Sequence, residues 1–329
     1  MPHIVLLATG GTIAMEVKPG TYKGAVPSLQ GKDFQDKLQE LIPKDIRLSV
    51  EDIVNVPGAH LTIENMVTLC RRIHHYTFGN DVDGIVVSQG TDAIEECSFF
   101  VNLCYGGIKP VVFTGAMRTA SEVGYDGFRN LLSAVIVAAN KQAENMGVLL
   151  VMNQQIHSAV ELRKMHTLRT DAFQSPHTGP VGEVVFDKVD ITRRIQRSSP
   201  VLEPLCRQPV VILPMVLDID DEILAWISTC HPKGVIIEGL GGGRVPPKIL
   251  PVIEKLIRAG VPVVETTRGG IGHVYDRYGF AGCHADLKIL GVLFAHNLSS
   301  AKARIKLMLA LGNAKSNEAL REYFNSSVD

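Results

Sequence analysis

The chain has 329 residues, 46 % of them apolar and 20 % charged, with a net charge of −1. That length and apolar content support two domains or one unusually large one and exclude a disordered chain. Basic residues are scattered rather than gathered on a face, which excludes a nucleic-acid groove, and no apolar stretch approaches the ~20 residues that cross a bilayer.

Ile4 to Leu7 is a short apolar run closed by Thr9-Gly10-Gly11-Thr12, which reads as a strand and its turn. Ile63 to His75 has helical spacing, and Gly84 to Val87 is the next strand. Asp92 to Tyr105 reads as a helix, Pro110 to Phe113 as a strand ending at Thr114-Gly115, and Asp126-Gly127 as the start of a helix that runs to Ala139. Val148 to Met152 is a further strand. Unbroken β-branched runs between helices belong to strands covered on both faces, and so to a mostly parallel α/β sheet. Between Phe186 and Pro209 the pattern decays into charged and proline-containing sequence. It then resumes with strands at Val210 to Leu213, Gly234 to Glu238 and Val261 to Glu265, and helices near Glu222 to Thr229, Lys248 to Arg258 and Ala301 to Leu311. The expected architecture is α/β with two domains. A larger one, 1–188, has a mostly parallel sheet with helices on both faces; a linker follows at 189–209; a smaller parallel α/β domain occupies 210–329.

Ligands of open α/β sheets bind beyond the carboxyl ends of the strands, which directs attention to the polar residues that close them. Gly10 and Gly11 permit positive φ and close approach of a substrate, and Thr12 follows with a hydroxyl. The structural alternative is a plain strand-end turn with Thr12 as a helix cap. Ser88-Gln89-Gly90-Thr91-Asp92-Ala93-Ile94-Glu95 also leaves a strand and opens a helix. Asp92 with Glu95 has the spacing of a capping box, while the functional reading gives Thr91 a second hydroxyl and Asp92 a carboxylate for a substrate ammonium.

Together these two segments resemble the signature motifs of the bacterial-type L-asparaginase family, and the resemblance spans nearly the whole chain. Pro110 to Arg118, Asp126-Gly127 with Asn130-Leu131, Gly147 to Asn153, Lys164, Phe173 to Pro176, Gly239-Leu240-Gly241 and Lys302-Ala303-Arg304 match further blocks in order. The resemblance implies that Thr12 is the nucleophile of an acyl-enzyme, that Thr91 and Lys164 handle the proton, and that Asp92 holds a substrate α-amino group. A threonine hydroxyl is a poor nucleophile until a base takes its proton, and a lysine serves as that base only when its surroundings favour the neutral amine. The resemblance also implies a tyrosine on a loop after the nucleophile, for which Tyr22 is the candidate. Substrate would lie against Gly11, Gly58, Ala59, His60, Gly90 and Ala116.

Two segments depart from the family. Where many members bind the substrate's α-carboxylate with a serine and a polar neighbour, this chain has Gly58 and Ala59, without a side-chain donor, followed by His60. A hydrogen bond to a charged group contributes about 1.5–3 kcal/mol, so an amide without a free α-carboxylate becomes an alternative substrate. Gly242 stands where members usually carry an asparagine that reaches a neighbouring subunit, with Arg244 close by. Family members assemble as dimers of dimers, so a homodimer or homotetramer with active sites near subunit interfaces is expected.

Two rival classes remain. Gly239 to Gly243 followed by Glu265 faintly resembles a dinucleotide fingerprint, but Arg244 and Pro246-Pro247 break it. A non-catalytic relative that senses a small ligand is the other. The histidines include no H-E-x-x-H and no zinc-spaced set with cysteine, so neither a metal nor a cofactor is expected; His157 reads as a helix-face or loop residue. The six cysteines form no C-x-x-C pair, and Ile4 to Ala8 is too short for a secretory core. These features fit a reducing cytoplasm, with no membrane partner.

Overall fold

The protein is described by a computed structural model covering residues 1–16, 26–27, 31–79, 81–195 and 201–325. The chain divides into two compact units, Met1–Arg197 and Ser198–Val328.

In the first unit the elements are β1 (His3–Ala8), β2 (Met15–Glu16), β3 (Val26–Pro27), α1 (Gly31–Gln39), β4 (Arg47–Asp52), α2 (Ile63–Phe78), β5 (Gly84–Ser88), α3 (Ile94–Cys104), β6 (Val111–Thr114), α4 (Gly127–Ala138), β7 (Val148–Met152) and β8 (Gln155–Ser158). They continue with β9 (Arg163–Lys164), β10 (Phe173–Gln174), β11 (Gly182–Val185) and β12 (Lys188–Ile191). Eight strands form one sheet in the order β12-β11-β8-β7-β6-β5-β1-β4. β4, β1, β5, β6 and β7 run parallel, and β8, β11 and β12 add an antiparallel edge. Two-residue ladders join β2 to β3 and β9 to β10.

Period-two alternation distributes the core between the two faces. Ile4, Leu6, Val86, Val112, Leu149 and Val151 pack with Leu38 of α1 and with Leu131, Ala134, Val135 and Ala138 of α4. Their neighbours Val5, Leu7, Ile85, Val87, Val111, Phe113 and Leu150 are also buried and point to the opposite face. That face lies under α2 and α3. α2 buries Met66, Leu69, Cys70 and Ile73 at helical spacing, and Thr62 and Asn65 close a reciprocal capping box at its start.

Two sequence expectations need correction here. The helix expected from Asp92 begins instead at Ile94, and its N-cap position, Ala93, makes no side-chain cap bond. Asp92 is committed elsewhere: its carboxylate accepts from the Lys164 ammonium. The linker expected at 189–209 starts inside β12, which pairs with β11 over Gly182↔Ile191 to Val185↔Lys188. Lys188 and Asp190 made this stretch look like a linker, but Val189 and Ile191 between them pack on the core. A strand solvated on one face has that alternation.

The second unit has β13 (Val210–Pro214), α5 (Asp221–Thr229), β14 (Gly234–Gly239), α6 (Leu250–Arg258), β15 (Val263–Thr267), α7 (His284–Leu290), β16 (Leu293–Phe294), α8 (Ser300–Asn313) and α9 (Asn317–Asn325). Its four strands are parallel and in chain order. Among the described residues no helix is long and apolar enough to cross a membrane. All six cysteines are free.

Glu265, on β15, is fully buried, and among the described residues neither carboxyl oxygen has a hydrogen-bond partner. A Cβ on Gly239 would lie 2.9 Å from its Oε1, so the carboxyl packs against the glycine turn after β14. Burial pushes its pKa up to about 9, against the opposing influence of Arg244. Between the unfolded value of 4.5 and about 9 the folded state holds a proton that the unfolded chain has lost, so stability falls as pH rises through this window. Replacing Glu265 with Gln is expected to flatten that fall. Thermal denaturation of the two proteins should give near-equal midpoints at pH 4.5 and a higher one for Glu265→Gln at pH 8.

Candidate active site

The order β4-β1-β5 places a topological switch point at β1 and β5. The chain leaves β1 for β4 on one side and returns to β5 on the other, which opens a crevice at the carboxyl ends of both strands. Ala8 and Ser88 end these strands in register, and Thr9 donates to Ser88 O through both its N–H and its hydroxyl, each at 3.0 Å.

Beyond them the two turns meet backbone to backbone. Gly11 has φ 89° and ψ −174°, a conformation open in practice only to glycine. A Cβ there would overlap Gly90 Cα, and a Cβ on Gly90 would stand 2.7 Å from Gly58 Cα and N. Gly11, Gly90 and Gly58 therefore form a stack without side chains. Thr12 and Thr91 are each the next residue after a stacked glycine. Thr12 opens a single 3₁₀ turn, Thr12–Ala14, and is part-exposed, while Thr91 is buried.

Lys164 completes the group from β9. Its ammonium donates to Thr91 Oγ1 and to Asp92 Oδ1, both at 3.0 Å, and its backbone N–H donates to Glu95 Oε2 at 3.3 Å. The ammonium-bearing side chain is 20 % exposed and that of Asp92 66 %, so the pair spans from the interior to the mouth of the site. A cavity of about 450 Å³ opens there, lined by Asp92, Lys164, Met165, His166 and Thr167. The His166 ring accepts from the N–H groups of Leu168 and Arg169 through Nδ1, at 3.0 and 3.1 Å, which curls this segment into a compact turn.

The block Asp126-Gly127…Asn130 backs the site instead of entering it. Asp126 accepts from the N–H groups of Met117 and Arg118, and Asn130 bridges Gly115 O and the Asn153 N–H. Ala116 is fully buried, and Gly115 lies so close behind that a Cβ on it would come within 3.2 Å of Thr91 Cγ2. These residues support Thr91 from below. Tyr22 lies outside the described residues.

Residues 3–197 match the family model "Asparaginase, N-terminal", and 209–324 match "Glutaminase/Asparaginase C-terminal domain". The chain belongs to the asparaginase family. It is 30 % identical to the L-asparaginase of Bacillus licheniformis over 98 % of each chain. It is 34 % identical to L-asparaginase 2 of Bacillus subtilis over 99 % of this chain and 86 % of that one. Its fold is similar to the crystal structure of a probable cytoplasmic L-asparaginase from Campylobacter jejuni, with a TM-score of 0.86 and 31 % identity over 99 % of this chain and 100 % of that one. The protein is an asparaginase-like amidohydrolase.

Seen as an asparaginase, its two departures acquire a geometry. Gly58 is buried in the glycine stack, where a Cβ would stand 3.1 Å from the Gly90 carbonyl carbon and oxygen. A serine at this position would need its neighbours to give way. Ala59 and His60 complete the turn Gly58–His60 and are exposed. In the second unit the Arg244 guanidinium lies over the rings of Tyr275 and Tyr278, at 4.8 and 4.5 Å from their centroids. Two features were missed in the sequence. Glu95 holds the Lys164 backbone, although its spacing from Asp92 suggested a cap. His157, read as a helix-face or loop residue, is a buried strand residue bonded to Ser175.

The glycine stack generates a direct test. Gly11→Ala forces an L side chain into a glycine-only conformation and into Gly90, with an expected cost of about 2–6 kcal/mol. Chemical denaturation measures the loss, and amide hydrolysis should fall with it because the two threonine turns separate.

Proposed function

We propose that this asparaginase hydrolyses the side-chain amide of L-asparagine to L-aspartate and ammonia through an acyl-enzyme on Thr12. The observation that carries the reading is the three-point arrangement in which Lys164 Nζ reaches both Thr91 Oγ1 and Asp92 Oδ1, with Thr12 one residue beyond the Gly11–Gly90 contact.

Asp92 is the receiver for the substrate's α-ammonium group. Its carboxylate cannot serve two cations at full strength, so an arriving ammonium loosens its hold on Lys164. Lys164 then releases a proton to solvent, and its neutral amine takes the Thr91 hydroxyl proton, leaving Thr91 as the group that draws a proton from the attacking nucleophile. Thr12 Oγ attacks the amide carbon, its proton passes to the departing nitrogen, and ammonia leaves. Water attacks the acyl carbon in the second half-reaction and regenerates the Thr12 hydroxyl. A positioned acid–base pair contributes roughly 10²- to 10⁴-fold to such a reaction. The backbone N–H groups of the glycine turns are suited to the developing oxyanion.

The names of the Bacillus relatives support L-asparagine as substrate. A second reading, the same chemistry on an amide without a free α-carboxylate, is favoured by the bare backbone at Gly58 and the single methyl of Ala59. We further propose a homodimeric or homotetrameric assembly and a cytoplasmic location. The latter is supported by the free cysteines and by the likeness to the Campylobacter protein, itself described as a probable cytoplasmic L-asparaginase.

The test is ammonia release from L- and D-asparagine, L-glutamine, and asparagine amides blocked at the α-carboxylate. Release should be fastest from L-asparagine, and Thr12→Ala should lower it about 10³-fold or more while the fold persists by circular dichroism. Release confined to the blocked amides selects the second reading. Activity of Thr12→Ala within tenfold of the parent removes Thr12 as nucleophile.

A further inference from the structure

Lys164 sits on a two-residue strand of a short hairpin. The β9–β10 ladder has only two rungs, Phe173↔Lys164 and Gln174↔Arg163. A two-residue ladder is too short to stand alone, so its position is set by what it is tied to. The β9 side is anchored by the Leu162 N–H donating to Ser158 O at 3.0 Å and by the Lys164 N–H on Glu95. The β10 side leads directly into Ser175, one residue beyond Gln174. Ser175 Oγ shares a hydrogen bond of 3.0 Å with Nδ1 of His157, and both residues are buried.

His157 belongs to β8, a strand of the main sheet paired with β7 over Leu149↔Ser158 to Met152↔Gln155. Its imidazole therefore rides on a rigid element, whereas Ser175 follows a strand that the main sheet does not include. The ring is 1 % exposed, and among the described residues its Nε2 has no hydrogen-bond partner. Burial lowers its pKa to about 4, so the ring is neutral at ordinary working pH and carries a single N–H. Placing a polar ring here, with one nitrogen without a partner among the described residues, costs stability that a leucine of similar size would recover. What the ring supplies in exchange is the bond to Ser175.

We propose that His157 is a positioning residue for the hydrolytic reaction: through Ser175 it fixes β10, and through the Phe173↔Lys164 rung it sets where the Lys164 ammonium stands relative to Thr91. This rests on the reading of Lys164 as the proton-handling residue. His157 touches neither substrate nor the reacting atoms; it acts through the register of a two-rung hairpin. A displacement of about 1 Å at a reacting group costs on the order of 10²-fold in rate, so a loosened hairpin is read in turnover more than in binding.

The experiment is a double-mutant cycle with steady-state kinetics on L-asparagine. His157→Leu and Ser175→Ala each remove the bond, while His157→Asn keeps a polar atom at the δ position. Lys164→Met is the reference. The two bond-deleting variants should lose about 10- to 100-fold in kcat with KM within about threefold, and His157→Asn should recover most of that loss. In the Lys164→Met background the same changes should have no further effect on kcat, because the group they position is gone. Full activity of Lys164→Met would overturn the reading of the site and this inference together. An inactive Lys164→Met alongside wild-type kcat in His157→Leu and Ser175→Ala would overturn this inference alone. So would losses of equal size in both backgrounds, which would make the bond a matter of general structure. Should His157→Leu fail to fold, Ser175→Ala, which deletes only one oxygen, carries the same decision.

Discussion

The site depends on a contact in which no side chain takes part. Gly11, Gly90 and Gly58 bring three chain segments to van der Waals distance at the switch point between β1 and β5, and a single Cβ at Gly11 or Gly90 would push those segments apart. Everything that has chemical consequence is measured from that contact. Thr12 and Thr91 each follow a stacked glycine, and the positive φ of Gly11 turns the chain sharply after β1. The parallel sheet beneath supplies a rigid base, its strand ends held in register by continuous ladders.

Around this contact local stability yields to function. Asp92 lies one residue before the N-cap position of α3, where a carboxylate cap is commonly worth about 0.5–2 kcal/mol, and it does not cap the helix. It pairs with Lys164 instead, in an arrangement whose carboxylate side chain is 66 % exposed. Exposed pairs contribute about 0.2–1 kcal/mol, so stability alone does not account for the choice. A carboxylate at the mouth of a cavity, already holding one cation, is suited to exchange it for another. The same logic applies to His157, a buried ring with one nitrogen unpartnered among the described residues, retained where an apolar residue would pack at lower cost.

The alternation of buried strands and helices, the two-domain division and the two glycine-threonine turns were legible in the sequence because each leaves a local signature. Apolar runs such as Val148 to Met152 mark strands covered on both faces, and adjacent glycines after a strand mark a turn. The antiparallel edge was not legible. β12 carries one apolar residue in two, and its charges resembled a linker. Only its pairing with the sheet separates an edge strand from a polar connection. The spacing of Asp92 and Glu95 misled for a related reason: a capping box and a pair of acids reaching toward a distant lysine have the same sequence.

The sequence by itself determined the class of fold, the identity of the polar residues that close the strands, and, through ordered motifs, the family and its reaction type. These depend on periodicity and on residue types in fixed order, which survive in one dimension. Tertiary structure alone decided that Lys164, more than seventy residues from Thr91, stands 3.0 Å from its hydroxyl. It also decided that Glu95 holds the backbone of that lysine, that His157 is tied to the hairpin carrying it, and that Gly58 is packed rather than merely small. Those facts depend on which strands lie beside one another. Strand order is set by how the whole chain buries its apolar faces, so no local segment encodes it.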